Sequence, residues 1–204
     1  QSDLKRMLAY SSVAQIGYIV LGIGLANAMG LTGGLLHLVN HAFMKGCLFL
    51  VAGAIVYRTG LREIREFRYL SRRMPWTAAI FTIAAFSMIG IPPFGGFFSK
   101  LYLILGAIDA EQWVFVGVIL LSSVLALVYF ANVIRHLYFP PDDTDAEPAA
   151  TREAEPATMR QGDPPLTMLA PMLALAVGIV LLGLFNGEVV SRLIEPVVAG
   201  SVRP

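Results

Sequence analysis

Charge is scarce in this sequence. Asp, Glu, Lys and Arg make up 14% of its 204 residues, against about 25% in soluble domains. That deficit is too large for a surface facing water, and a 56% hydrophobic composition places the chain in the membrane class. Cysteine is nearly absent: Cys47 is the only one, which excludes a disulfide framework within one copy. It reads as a small core residue. The net charge of +1 offers no field for nucleic acid. No metal-ligand cluster, glycine-rich phosphate loop or nucleophile motif is present, so no catalytic residue, metal site or cofactor is expected. No signal peptide is visible. The chain opens on Gln1, and residues 1–7 read as an inter-helix loop, so a preceding region is expected.

Long apolar runs are what the sequence has. A bilayer core needs roughly 20 apolar residues of helix, and five such spans are legible, at about 8–29, 32–57, 75–108, 113–138 and 166–185. The expected fold is therefore all-α and polytopic. The first four spans form one membrane domain, 1–138. Residues 139–165 are rich in Pro, Ala, Asp and Glu and read as a flexible linker. Residues 166–204 comprise a last span and a tail, in which Val189, Val190, Leu193, Ile194 and Val197 have the spacing of an interfacial helix. Glycines 22, 24, 33 and 34 suggest close helix packing. Trp76, Trp113, Tyr57 and Tyr138 fall near span ends, as an aromatic belt requires.

Orientation follows from the basic loops. Residues 58–73 carry Arg58, Arg62, Arg65, Arg68, Arg72 and Arg73 against Glu63 and Glu66, which predicts a cytoplasmic loop. Five spans then put Lys5, Arg6, Arg135 and the 139–165 linker on that side too. Asp109, Glu111, Glu188 and the C-terminus go to the outer side of the cell inner (plasma) membrane.

Charges also occur where they are costly. Lys5, Lys45 and Lys100 are the only lysines, and two of them lie inside spans. An ionisable group at the centre of a membrane helix costs at least about 2.5–3.5 kcal/mol. His37, His41 and Lys45 are four residues apart and share one helix face, a row about 12 Å long. Imidazole both accepts and donates near neutral pH, so the row has the parts of a proton relay. An isolated membrane histidine is often a helix–helix hydrogen-bonding residue; three groups in register weaken that alternative. Snorkelling is unattractive for Lys45, which is far from both interfaces.

Pro92 and Pro93 remove two backbone donors from the third span, and Gly95 and Gly96 permit a change of direction. A broken helix frees backbone groups in mid-membrane, as at many transport sites. Lys100 is expected in the first turn of the second half-helix, at the positive, unfavourable end of its dipole. Ser11, Ser12, Gln15, Asn40 and Ser99 are candidate polar or water contacts. All 14 Asp and Glu residues lie outside the spans or at their ends, so a carboxylate partner for Lys45 or Lys100 must come from elsewhere.

The run from Asp3 to Tyr18, the run from His37 to Lys45, and the run from Gly90 to Lys100 resemble, in that order and spacing, the antiporter-like subunits of respiratory complex I. They equally resemble their relatives in Mrp-type cation/proton antiporters and membrane-bound hydrogenases. The segment Phe97–Leu103 looks most like the Mrp type, in particular its D-type antiporter-like member. The resemblance covers residues 1 to about 138. It implies a parent of about fourteen helices with two inverted five-helix repeats, of which this chain would hold most of the second repeat and the final helix. By the same resemblance His37, His41 and Lys45 are central proton carriers and Lys100 is the terminal carrier. Gln15 stands where some relatives carry histidine and is assigned no proton transfer.

The expected function is a proton-translocating subunit of a multisubunit Na+/H+ antiporter, with other membrane subunits, lipid, protons and Na+ as partners. Two alternatives stand beside it. One is a proton-pumping subunit of an NADH:quinone oxidoreductase or hydrogenase, with no redox centre of its own. The other is a non-conducting structural subunit. An ion-coupled solute carrier is a more distant possibility, since no solute pocket is legible.

Overall fold

The chain, analysed as a computed structural model, is described at residues 1–68, 70–139 and 162–201. Its long elements are helices α1 (Leu4–Gly24) and α2 (Ala28–Thr59), the short α3 (Leu70–Arg73), α4 (Pro75–Ile89), α5 (Gly95–Asp109), α6 (Trp113–Tyr138) and α7 (Leu166–Leu184). Helices α1, α2, α6 and α7 are each long and apolar enough to cross a bilayer. Helices α4 and α5 run in tandem where the fifth, discontinuous span is expected.

Side-chain caps set the first boundaries. Asp3 accepts the Arg6 backbone N–H at 2.8 Å and starts α1, and Asn27 accepts that of Gly30 at 2.7 Å and starts α2. The α1–α2 turn therefore falls earlier than hydropathy places it. Gly60, left-handed at φ 75°, closes α2. Pro75 occupies the first turn of α4, where its missing N–H costs nothing.

The break is built differently from its sequence expectation. Helix α4 already ends at Ile89, and the break is opened by Gly90, left-handed at φ 94°. Pro92 and Pro93 lie in the connection, and Gly95 and Gly96 already belong to α5. These two glycines serve close approach: a Cβ on Gly95 would meet the Asn40 side chain, and one on Gly96 would meet the Ser87 carbonyl. Glycines 22, 33 and 34 also sit at helix contacts, whereas a Cβ on Gly24 would meet open space.

One end of the bundle gathers the basic segments. The Leu4 N–H donates to the Arg62 carbonyl at 3.1 Å and the Ile64 N–H to that of Ser2 at 2.8 Å. Arg58 Nε donates to the Gly162 carbonyl at 3.0 Å. Asp163 accepts the Thr77 N–H at 2.9 Å and the Thr77 hydroxyl at 2.7 Å, capping α4 from the far side of the chain. At the opposite end, Asn27 Nδ2 donates to the Gly106 carbonyl at 2.8 Å. Helices α4 and α5 thus run from the basic end to the other. Residues 140–161, the bulk of the expected linker, lie outside the described residues.

Helix α2 is the hub, packed on α1, α4, α5 and α7. Its basic-end half enters the main apolar core, where Met44, Leu48, Val51 and Ile55 meet Phe81 and Met88 of α4, Phe130 of α6 and Met172 of α7. In the tail, Val190, Ile194 and Val198 are buried while Leu193 and Val197 are exposed, so a row of the tail packs inward towards α2. Large apolar residues stand exposed along α1 and α6, among them Val13, Val20, Leu121 and Val128. Trp76, Trp113, Tyr57 and Tyr138 are exposed at helix ends.

Candidate functional site

The apolar core gives way along α2 to a polar line. Ser11, Gln15, His37, Asn40, Lys45, Ser99 and Lys100 are all buried; His41 and Ser12 are half-buried. The register of α2 turns His37, His41 and Lys45 to one face, and α1 and α5 close over that face.

Lys45 marks one end. Its ammonium donates to the Leu8 carbonyl of α1 at 2.7 Å and to the Ser11 hydroxyl. Ser11 and Ser12 themselves donate to that same Leu8 carbonyl, at 2.9 and 3.1 Å, the back-bonding usual for helical serines. The Tyr129 hydroxyl of α6 approaches Ser11. The lysine is therefore held by α1 inside the protein, not drawn to an interface.

His41 is within electrostatic reach of Lys45 and stacks on His37, with ring centroids 6.3 Å apart and planes 13° apart. Its Nε2 is buried and has no hydrogen-bond partner. His37 is fully buried. Its Nε2 lies 3.0 Å from the Gln15 side-chain amide, and its Nδ1 lies 2.9 Å from the Ser99 hydroxyl.

Ser99 leads to Lys100, at the other end. Lys100 lies in the second turn of α5, not the first, and its side chain turns back across the break. The ammonium donates to the carbonyls of Met88 and Ile89, each at 2.9 Å, and to the Ser123 hydroxyl at 3.1 Å. Those carbonyls belong to the last turn of α4, the negative end of its dipole. The electrostatics at Lys100 are thus opposite to those expected from its position after the break. Asn40 Nδ2 donates to the Gly95 carbonyl at 2.8 Å, and the Gly96 N–H to Ser87 Oγ at 3.2 Å. Both bonds hold the broken segment against its neighbours.

The structure brings Lys45, His41, His37, Ser99 and Lys100 into one buried region, where His41 stacks on His37 and His37 meets Ser99, with Ser11 and Gln15 as direct partners of Lys45 and His37. Ser12 bonds the Leu8 carbonyl of its own helix, and Pro92 and Pro93 lie in the connection between α4 and α5. Tyr18 is the residue the sequence reading passed over. Its ring meets His37 edge-on at 5.3 Å and 80°, and the Lys100 ammonium lies 5.4 Å from its centroid. Its hydroxyl is buried without a partner. A signal was available: Ser11, Gln15 and Tyr18 follow helical spacing on one face of α1. Among the described residues, neither intramembrane lysine has a carboxylate partner.

A family model described as "NADH:quinone oxidoreductase/Mrp antiporter, TM" matches residues 1–126. The NADH-quinone oxidoreductase subunit N of Desulforudis audaxviator is 47% identical over 201 residues; the match covers 96% of this chain and 39% of that protein. In a structure of the Mrp complex from Dietzia sp. DQ12-45-1b, one chain superimposes with a TM-score of 0.81 at 29% identity, covering 98% of this chain and 44% of the other. In respiratory complex I from Thermus thermophilus with bound NADH, one chain does so with a TM-score of 0.82 at 26% identity, covering 98% and 39%. This chain therefore spans well under half the length of these relatives.

Proposed function

This chain belongs to the NADH:quinone oxidoreductase/Mrp antiporter transmembrane family, and on that premise we propose that it carries the second-half proton path of a multisubunit membrane complex. The observation that bears most on this reading is the buried line Lys45–His41–His37–Lys100, in which each ammonium is solvated by carbonyls and hydroxyls and, among the described residues, not by a carboxylate. A lysine held by such neutral partners keeps the option of releasing its proton, which a tight ion pair would remove. His41, with its unpartnered Nε2, is the natural entry point for water or for a group from a neighbouring segment. Protons hop along the line, and the lysines switch between charged and neutral states as a carboxylate supplied from outside this chain approaches or withdraws.

The partners are other membrane subunits, lipid and protons. The basic end faces the cytoplasm and the tail the outer side of the plasma membrane, by the positive-inside rule. Two couplings fit this path. In an antiporter assembly it would exchange protons for Na+. In a redox-driven assembly it would pump protons, and the 47% identity to an NADH-quinone oxidoreductase subunit N favours that second reading.

The test is proton transport in vesicles containing the complete complex. Lys45→Ala and Lys100→Ala should each abolish most of it. Transport unaffected by both substitutions removes the relay reading. Dependence on Na+ then separates the antiporter from the redox-driven pump.

A further inference from the structure

An ammonium has three hydrogens and no lone pair, and at Lys100 each hydrogen has a partner. Two partners are the Met88 and Ile89 carbonyls of α4, each at 2.9 Å. The third is the Ser123 hydroxyl of α6 at 3.1 Å. The lysine is buried, with the Tyr18 ring over its cation at 5.4 Å. In this pose a departing proton has those three directions to take.

The directions are not equivalent. A backbone carbonyl accepts a hydrogen but has none to pass on, so a proton displaced towards Met88 or Ile89 falls back to the amine. A hydroxyl accepts and donates at once, so it can take up one hydrogen and release another. Neutral Lys100 adds a second distinction. Its amine has two hydrogens and one lone pair, and a buried acceptor left without a donor costs about 1–3 kcal/mol. Neither carbonyl can donate to that lone pair, whereas Ser123 can.

Ser123 has a hydrogen to spare for this. Its hydroxyl donates to the Ile119 carbonyl at 2.9 Å, four residues back in α6, an acceptor that the helix ladder already serves. That bond can be released without orphaning the carbonyl. Ser123 is half-buried. It stands on the border between the packed row of Ile119, Ala126 and Phe130 and the exposed Leu120 and Leu127, so its hydroxyl lies between Lys100 and the open side of α6.

We propose that Ser123 is the proton-transfer residue of Lys100, the group through which the lysine charges and discharges on the α6 side. On discharge the Ser123 hydrogen leaves the Ile119 carbonyl and turns to a water molecule at that border. The bond from Lys100 Nζ to its third hydrogen breaks as that hydrogen binds Ser123 Oγ, and the hydrogen Ser123 held before passes to the water. The amine is left neutral, its lone pair facing the hydrogen now on Ser123. Charging runs the same bonds in reverse. The nitrogens of His37 face Gln15 and Ser99, so Lys100 meets the histidine side only when its arm leaves the α4 carbonyls.

This inference rests on reading Lys100 as a proton carrier, and its test separates the two. The complete complex is reconstituted with 15N-labelled lysine, and the Lys100 signal is assigned by difference from a Lys100→Arg sample. Hydrogen exchange of that amine with water is timed, and proton transport is measured in vesicles. Ser123→Thr keeps the hydroxyl and should match the wild type in both. Ser123→Val has the shape of threonine with a methyl in place of the hydroxyl, and should slow both by about a hundredfold, the share a positioned proton-transfer group supplies. If neither branched side chain fits, both variants fail to assemble. Ser123→Cys, which fills the serine site with a weak hydrogen-bonding group, should then show the same losses. Equal exchange in the Thr and Val variants, or wild-type exchange in Ser123→Cys, overturns the assignment. Slowed exchange with unchanged transport keeps Ser123 as the partner of Lys100 and removes Lys100 from the proton path, as would normal transport in Lys100→Arg.

Discussion

The Lys100 ammonium lies 2.9 Å from the carbonyl oxygen of Ile89, the last residue of α4. A helix end leaves its last carbonyls without intrahelical donors, and in a membrane such groups need partners from the protein. Lysine and break therefore solve each other's problem: the break supplies acceptors and the lysine supplies hydrogens.

That mutual dependence separates charge from proton exchange. Lys100→Arg should still supply donors to the Met88 and Ile89 carbonyls, but guanidinium does not give up its proton. The variant complex should assemble normally while its proton transport falls by about a hundredfold or more, the share that a positioned proton carrier supplies. Assembly by affinity purification and transport in vesicles, measured on the same preparation, check this. Wild-type transport in Lys100→Arg would show that only the charge matters.

The tight backbone approaches at the break are sensitive to one methyl group. A Cβ on Gly96 collides with the Ser87 carbonyl, and one on Gly183 of α7 collides with that of Pro93. Backbone cannot give way as a flexible side chain can, so Gly96→Ala and Gly183→Ala should each destabilise the subunit by about 1–3 kcal/mol or more. Gly24→Ala, where the added methyl meets open space, should leave thermal stability in detergent unchanged and serves as the control.

Tyr18 contributes its ring more than its hydroxyl. The ring faces the Lys100 ammonium and abuts His37, and a desolvated cation–π contact is worth about 2 kcal/mol. Tyr18→Phe retains both contacts and should transport protons close to the wild-type rate. Tyr18→Leu should be markedly slower. Equal rates in the two variants would contradict this division.

Asp163 caps α4 although it lies beyond α6 in the chain. Removing such a cap typically costs about 1 kcal/mol. Asp163→Ala should lower the thermal midpoint of the complex, and Asp163→Asn, which keeps an acceptor, should lower it less. Neither should change the transport rate at ambient temperature, because the residue is remote from the polar line. A loss of transport in Asp163→Asn at full stability would point to a role in the path.

The sequence alone determined the all-helical membrane class and the register within each helix. Apolar runs longer than the bilayer is thick can only be membrane helices, and four-residue spacing puts His37, His41 and Lys45 on one face because the helix turns by a constant angle per residue. Paired prolines announced a break before Lys100. Other decisions waited on the tertiary structure. Gly90 opens the break because it adopts φ 94°, while Gly95 and Gly96 are small for the sake of Asn40 and Ser87, residues distant from or preceding the break. Leu8 offers Lys45 its carbonyl, an atom common to every residue type that no pattern of side chains reveals. Lys100 follows the start of α5 in sequence, yet its four-carbon arm carries the charge back to the end of α4, because the unpaired acceptors are there. Periodicity sets which face a residue occupies; the atoms that satisfy a buried polar group are set by which helices meet.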